Sequence, residues 1–256
     1  MTDDVQQLSA GEALATMADQ FRQLAMSLAD GVDEPLTQQR LVDFAVRGIP
    51  GAEHASMTAV HGSKPPKTTA QTDERPLEWD QLQYEHGEGP CLEVIATNGV
   101  VLANDLSSDT RWPRFVRALV DCTPARSMLS FRLFLTEQDR AGLNLYATRP
   151  GAFTDQSTAT GAMFAAYASM ALLAAARKDQ ANHLMRALET NREIGVAMGI
   201  IMANGKLTGQ QAFDQLRIAS QNLNRKLYDI ATDVARTGQL PAVVLKMIKR
   251  QPSSRS

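Results

Sequence analysis

Cysteine is nearly missing: Cys91 and Cys122 are the only two in 256 residues. Two thiols cannot build the disulfide framework of a small secreted fold, and they have no paired spacing of the kind a zinc site needs, so a reducing cytoplasm is expected. Export is not expected, because the opening MTDD is acidic where a secretory signal would be basic and no apolar run follows it. Charge is missing from Gln156 to Ala176, in QSTATGAMFAAYASMALLAAA. That run is long enough to span a bilayer, yet small residues and hydroxyls dominate it, and no membrane partner is expected. Catalytic constellations are missing too. The sequence holds no Ser-His-Asp spacing, no metal-binding cluster and no phosphate-cradling glycine loop, GEGP at 87–90 being a lone turn. His54, His61, His86 and His183 are scattered, and His183 is followed by Leu184 rather than the acid that follows a kinase phosphoacceptor. No enzyme activity, metal or certain cofactor is expected.

The charge that is present is unevenly placed. Overall it is only −2, but from Asn191 onward ten Lys and Arg stand against four Asp and Glu, leaving sixteen against twenty-four for the rest. An acidic body with a basic C-terminal portion points to an anionic partner, for which nucleic acid is the first candidate.

Periodicity divides the chain. Leu14, Met17, Phe21, Leu24 and Leu28 mark one stripe of an amphipathic helix, and LTQQRLVDFAVRGI reads as a second helix. Short β-rich runs follow, ASMTAVHG (55–62), GVVLAND (99–105), SMLSFRLFL (127–135) and GLNLYAT (142–148), separated by turn residues and short helical patches. They predict an α+β domain on a mainly antiparallel sheet. No proline lies between Pro150 and Pro241, so one helix is expected from about Asp155 to Asn204, with Met163, Tyr167, Met170, Leu173, Leu184 and Leu188 in a three-four rhythm that favours self-association. Gly205 is the expected stop. Thr208-Gly209-Gln210-Gln211 has the form of a capping box, Asn224 is placed to cap the next helix, and Gly238 to end it. PAVVLKMIKR is consistent with a last basic helix.

Between the last two short helices, LRIASQNLNRKLYDIA (216–231) gathers amides and cations at one corner. Arg217, Ser220, Gln221, Asn224, Arg225 and Lys226, with Tyr228 beside them, offer donors for phosphates and base edges. The surrounding residues resemble the ANTAR family, RNA-binding domains of bacterial antitermination regulators. The A-x-G-x-x-M pattern falls on Ala197, Gly199 and Met202, the A-[FY]-x-x-L-R pattern on Ala212, Phe213, Leu216 and Arg217, and the N-x-K-L-x-x-[IV]-A pattern on Asn224, Lys226, Leu227, Ile230 and Ala231. The resemblance implies a three-helix bundle that acts as a homodimer. It binds RNA, a pair of hairpins with six-nucleotide loops, so that a terminator hairpin does not form; RNA polymerase is affected only indirectly. Met198 stands where many members have lysine. Ala197, Gly199, Met202, Ala212, Phe213, Leu216, Leu227, Ile230 and Ala231 are expected to pack the bundle.

Upstream, GEGPCLEVIATNGVVLANDLSSDTRWPRF, RSMLSFRLFL, GLNLYAT and GAFTD resemble the GAF domains that precede ANTAR in actinobacterial regulators. This implies a ligand-sensing or dimerising module whose helices continue into a signalling helix. An unidentified small molecule is therefore a candidate ligand. Cys91, at the expected start of a helix, and Arg132, where many relatives have proline, are the candidates for a ligand or redox site. The expected organisation is an N-terminal dimerisation helix (1–33), a GAF sensor domain (34–175), a coiled-coil-like linker helix (176–190), an ANTAR domain (191–250) and a tail (251–256). The rival readings of the basic corner are a DNA-binding regulator and a protein dimerisation or scaffold module.

Overall fold

A computed structural model describes residues 34–240 except 98 and 136–138, together with 18, 19, 22, 23 and 26. The N-terminal helix expected from the stripe at 14–28, the 1–33 boundary, the basic segment from 241 and the tail lie almost wholly outside the described residues. The chain forms two compact units, 1–179 and 180–256.

The first unit is built on a five-stranded antiparallel sheet in the order β2-β1-β5-β4-β3. In chain order its elements are α1 (Glu34–Gly48), β1 (His54–His61), β2 (Lys67–Gln71), α2 (Glu74–His86), α3 (Pro90–Thr97), β3 (Val100–Ala103), α4 (Pro113–Cys122), β4 (Ser127–Phe134) and β5 (Asp139–Ala147). Four of the strands fall on the β-rich runs of the sequence. β2, KTTAQ, does not carry that signal: it is short and begins directly after Lys64-Pro65-Pro66.

Alternation along the strands sorts side chains to two cores. Leu129, Phe131 and Leu133 of β4 join Leu143 and Leu145 of β5 against Leu41, Val42 and Ala45 of α1 and against Phe164, Ala165, Ala168 and Leu172 of the last helix of this unit. On the other face Trp79, Cys91, Val94, Phe115, Leu119, Met128 and Tyr146 make a second core under α2, α3 and α4. The GEGP turn serves both α2 and α4. Gly87 (φ 66°) is the left-handed cap of α2, Pro90 opens α3, and the Glu88 carboxylate accepts the backbone N–H groups of Arg114 and Phe115 at the start of α4. RWPRF is explained as packing: the Arg111 guanidinium lies 4.2 Å from the centre of the Trp112 ring, whose Nε1 donates to Glu93 at 3.0 Å.

α5 (Asp155–Gly205) begins in the first unit and ends in the second. Gly161 brings it close to the sheet, since a Cβ there would lie 2.2 Å from the Phe131 ring. One window of α5 is long and apolar enough to cross a membrane, and 39% of that window is buried within the protein. Met163, Met170, Leu184, Met185 and Leu188 project from α5 as exposed apolar side chains.

In the second unit the end of α5 packs with α6 (Gly209–Leu223) and α7 (Leu227–Thr237) around Ala197, Ile201, Ala212, Leu216, Ala219, Ile230, Ala231, Val234 and Leu240. Thr208 and Gln211 form the expected reciprocal capping box. Two expectations need correction. Gly205 is still helical, and the left-handed residue after α5 is Lys206 (φ 51°). Asn224 does not cap α7 but ends α6, in the left-handed region at φ 48°, with its N–H bonded to the Gln221 carbonyl; the N-cap of α7 is Lys226, with no side-chain cap bond. A short polar residue tolerates the left-handed conformation, which lets α6 turn into α7 within three residues.

Candidate nucleic-acid interface

Spacing on α6 places Arg217, Ser220, Gln221 and Asn224 on one stripe, at i, i+3, i+4 and i+7, and the tight corner adds Arg225, Lys226 and Tyr228. All seven are exposed except Ser220, which is half-buried. The corner is closed by its own groups: the Ser220 hydroxyl donates to the Arg225 carbonyl at 2.6 Å and the Arg225 N–H to the Ser220 carbonyl at 3.1 Å. Ser220 is therefore engaged in structure.

The cations of the corner differ in availability. Arg217 is paired with Asp214 at 3.1 Å, and Arg225 with Asp233 at 2.8 Å, where Arg236 also contributes at 3.3 Å. Hydrogen bonding from the Arg225 guanidinium, with its charge, holds the Asp233 carboxyl below the usual carboxylate range. These pairs are solvated, so each contributes little stability and can exchange for a phosphate. Lys226, Gln221 and Asn224 have no side-chain hydrogen bond or ion pair among the described residues. Asn222, exposed at the end of α6, belongs with them and was missed by the motif reading, though it stands inside the same amide-rich run. With no side-chain cap on Lys226, the first N–H groups of α7 also face outward, a donor set that favours anions.

The packing set divides. Ala197, Ala212, Leu216, Ile230 and Ala231 are buried and Leu227 is half-buried against them. Phe213, Met202 and Gly199 lie outside the core: Phe213 follows buried Ala212 and so points about 100° away on the helix, Met202 likewise follows buried Ile201, and a Cβ at Gly199 would meet nothing.

In the first unit, Cys91 and Arg132 lie on the α3 side of the sheet but are chemically different sites. Cys91 is fully buried in the second core, and burial, with Asp80 nearby, pushes its thiol up to about 12. That overturns its candidacy as a low-pKa redox sensor, because loss of water around a thiolate outweighs the start of α3. Around it the polar groups satisfy one another. The buried Asp80 carboxylate accepts from Thr68 (2.8 Å), Asn144 (3.0 Å) and Tyr146 (2.6 Å), Gln83 donates to Tyr146 (3.0 Å) and accepts the Cys91 N–H (2.8 Å), and the Tyr84 hydroxyl meets Thr58 and Thr68. Burial raises the Asp80 carboxyl to about 6. Arg132 is also buried, and Nη1 donates to the Ile95 carbonyl at 2.7 Å.

Residues 32–173 match the GAF domain family and residues 182–234 the ANTAR domain. No match was found among curated proteins. Among solved structures, the chain is similar to the phytochrome photosensory core module of Stigmatella aurantiaca at 12% identity, over 81% of this chain and 44% of that one, with a TM-score of 0.53. It is similar also to the GAF domain of a phosphoenolpyruvate-protein phosphotransferase from Coxiella burnetii (14% identity, 64% and 96% covered, TM-score 0.49). A third is the free methionine-R-sulfoxide reductase of Neisseria meningitidis in complex with its substrate (14% identity, 66% and 96% covered, TM-score 0.47). At such identities the likeness concerns the fold. With more than half its length in the GAF match and an ANTAR match following it in one polypeptide, the chain belongs to the GAF family and is a regulator of the GAF-ANTAR type.

Proposed function

We propose that this protein is a cytoplasmic homodimer that binds paired hairpin loops in a nascent transcript through the α6–α7 corner and so prevents a terminator from forming, under control of its GAF unit. The observation that carries the reading is the corner itself. Lys226, Gln221, Asn222 and Asn224 are exposed and unengaged on a well-packed bundle, within a match to an RNA-binding domain. Amides read splayed bases and the lysine meets phosphate, a combination suited to loops rather than to a duplex groove. Tyr228, 40% exposed in the first turn of α7, adds a stacking face.

The dimer is proposed from α5, whose Met163, Met170, Leu184, Met185 and Leu188 are more than half exposed among the described residues. The same helix is the proposed route of the signal, and RNA polymerase would respond only through the altered transcript.

The test is RNA affinity in two variants chosen so that the fold survives. Lys226→Ala removes one phosphate contact; it should weaken binding about five- to tenfold and lower the slope of log affinity against log salt by about 1. Asn224→Gly keeps the left-handed corner that alanine would strain, while removing the amide, and should weaken binding by about tenfold. Unchanged affinity in both variants, with native thermal unfolding, would exclude this corner as the RNA site.

A further inference from the structure

The arginines and the lysine of the α6–α7 corner differ in one consistent way: each arginine is held by an aspartate, and the lysine is not. Arg217 Nη2 donates to Asp214 Oδ1 at 3.1 Å, three residues back on α6. Arg225 Nη1 donates to Asp233 Oδ2 at 2.8 Å, eight residues on, and Arg236 Nη2 donates to the other oxygen, Oδ1, at 3.3 Å. One carboxylate therefore occupies two guanidinium groups that approach it from the two ends of α7. Asp229, the other acid of α7, is exposed and takes part in neither pair. Packing does not account for the arrangement, because α7 gives Ile230, Ala231 and Val234 to the core, and solvated ion pairs of this kind contribute little to stability.

The pairing changes what the corner offers to a polyanion. A free surface cation that meets a backbone phosphate releases a condensed counterion, which is worth about fivefold in affinity at about 0.15 M salt. A cation already held by a carboxylate exchanges one anion for another, and the displaced aspartate then stands beside the phosphate, so the net gain is small. Duplex DNA, with only its backbone to offer this surface, gains little from the two arginines of Asp233. An RNA loop fixed by Gln221, Asn222, Asn224 and Lys226 holds its phosphates next to them at high local concentration, and the exchange then goes through.

We propose that Asp233 is a specificity-determining residue of the corner: by occupying Arg225 and Arg236 it withholds them from polyanions that make no base contacts and releases them to an RNA loop. Asp214 does the same for Arg217, one acid to one arginine. The proposal rests on reading the corner as the RNA site, and it adds how that site discriminates against a duplex.

The test is fluorescence anisotropy of the full chain with a twin-hairpin RNA and with duplex DNA of equal length, across about 0.05 to 0.3 M salt. Asp233→Asn keeps the shape of the side chain and removes its charge. Duplex affinity should rise about five- to thirtyfold, with the slope of log affinity against log salt steeper by about 1 to 2, while RNA affinity rises by about threefold at most. Asp214→Asn, on the other helix, should act in the same direction with a slope change of about 1. Asp229→Asn takes the same charge from α7 without freeing an arginine and should leave the slope unchanged. In a chain already carrying Arg225→Gln and Arg236→Gln, Asp233→Asn should affect neither nucleic acid, a non-additivity that a change in helix stability does not produce. The proposal is overturned if Asp233→Asn and Asp214→Asn, with native thermal unfolding, bind the duplex with the affinity and slope of the wild type. It is overturned equally if the RNA gains as much as the duplex, or if Asp229→Asn or the chain without the two arginines shows the same gain. Lys226→Ala in the same assay reports on the corner itself: weaker RNA binding there, beside an unchanged Asp233→Asn, sinks this inference and leaves the RNA site standing.

Discussion

Asp80 shows how much of the first unit depends on single polar side chains. It is fully buried, and three donors, Thr68, Asn144 and Tyr146, converge on it, yet burial still raises its carboxyl to about 6 from the 3.8 of an unhindered aspartate. The folded state thus favours the protonated form. Stability from this group is fully present below pH 3.8 and is lost as pH rises through about 6. Asp80→Asn keeps the carbonyl acceptor, and the Thr68 hydroxyl can turn to accept from the new amide. Denaturant unfolding from pH 4 to pH 7 should therefore show the variant gaining on the wild type by on the order of 3 kcal/mol, whereas parallel curves would remove the linkage. The two cysteines offer a second check. Native protein at pH 8 should react with a maleimide at exposed Cys122 only, and Cys91 should react after unfolding, since its thiol is buried and pushed up to about 12.

Among the elements, α5 depends on a glycine that is not at a turn. Alanine at 161 would gain about 1 kcal/mol in helix propensity. Its Cβ would however fall 2.2 Å from the Phe131 ring, and overpacking of that kind costs about 1–3 kcal/mol. Gly161→Ala should lower the melting temperature, and adding Phe131→Leu should restore part of it; a higher melting temperature in the single variant would contradict the close approach. The long helix itself was legible, because an uninterrupted stretch without proline carries its own length. Four strands were legible from β-branched and aromatic runs. β2 was not, since KTTAQ owes its place to pairing with β1 rather than to its own residues. The corner was half legible. Its polar residues were visible as a cluster, but single letters do not say that Asn224 takes the left-handed position or that Ser220 turns inward to the Arg225 carbonyl. Phe213 and Met202 were misjudged for the same reason: matching a motif does not say which side of a helix the core occupies. That Arg132 is buried with its guanidinium on the Ile95 carbonyl is a tertiary fact, although the arginine in a strand of apolar neighbours was already out of place.

For the whole molecule, the charge changes sign between the GAF match and the C-terminal portion that begins within the ANTAR match. The acidic portion contains the GAF match, and the ANTAR match lies mostly in the portion after Asn191, where five of the ten bases follow the match from Arg236 onward; the proposed RNA site therefore adjoins the stretch that attracts an anion over distance. The central claim is that the corner reads RNA loops and not any polyanion. Fluorescence anisotropy of the full-length protein with a twin-hairpin RNA and with duplex DNA of equal length, at one fixed salt near 0.15 M, tests it most directly. The account predicts that the RNA binds about a hundredfold tighter than the duplex, and that opening the loops by changing them to paired stems removes most of that margin. Equal, weak, strongly salt-dependent binding to both would contradict it.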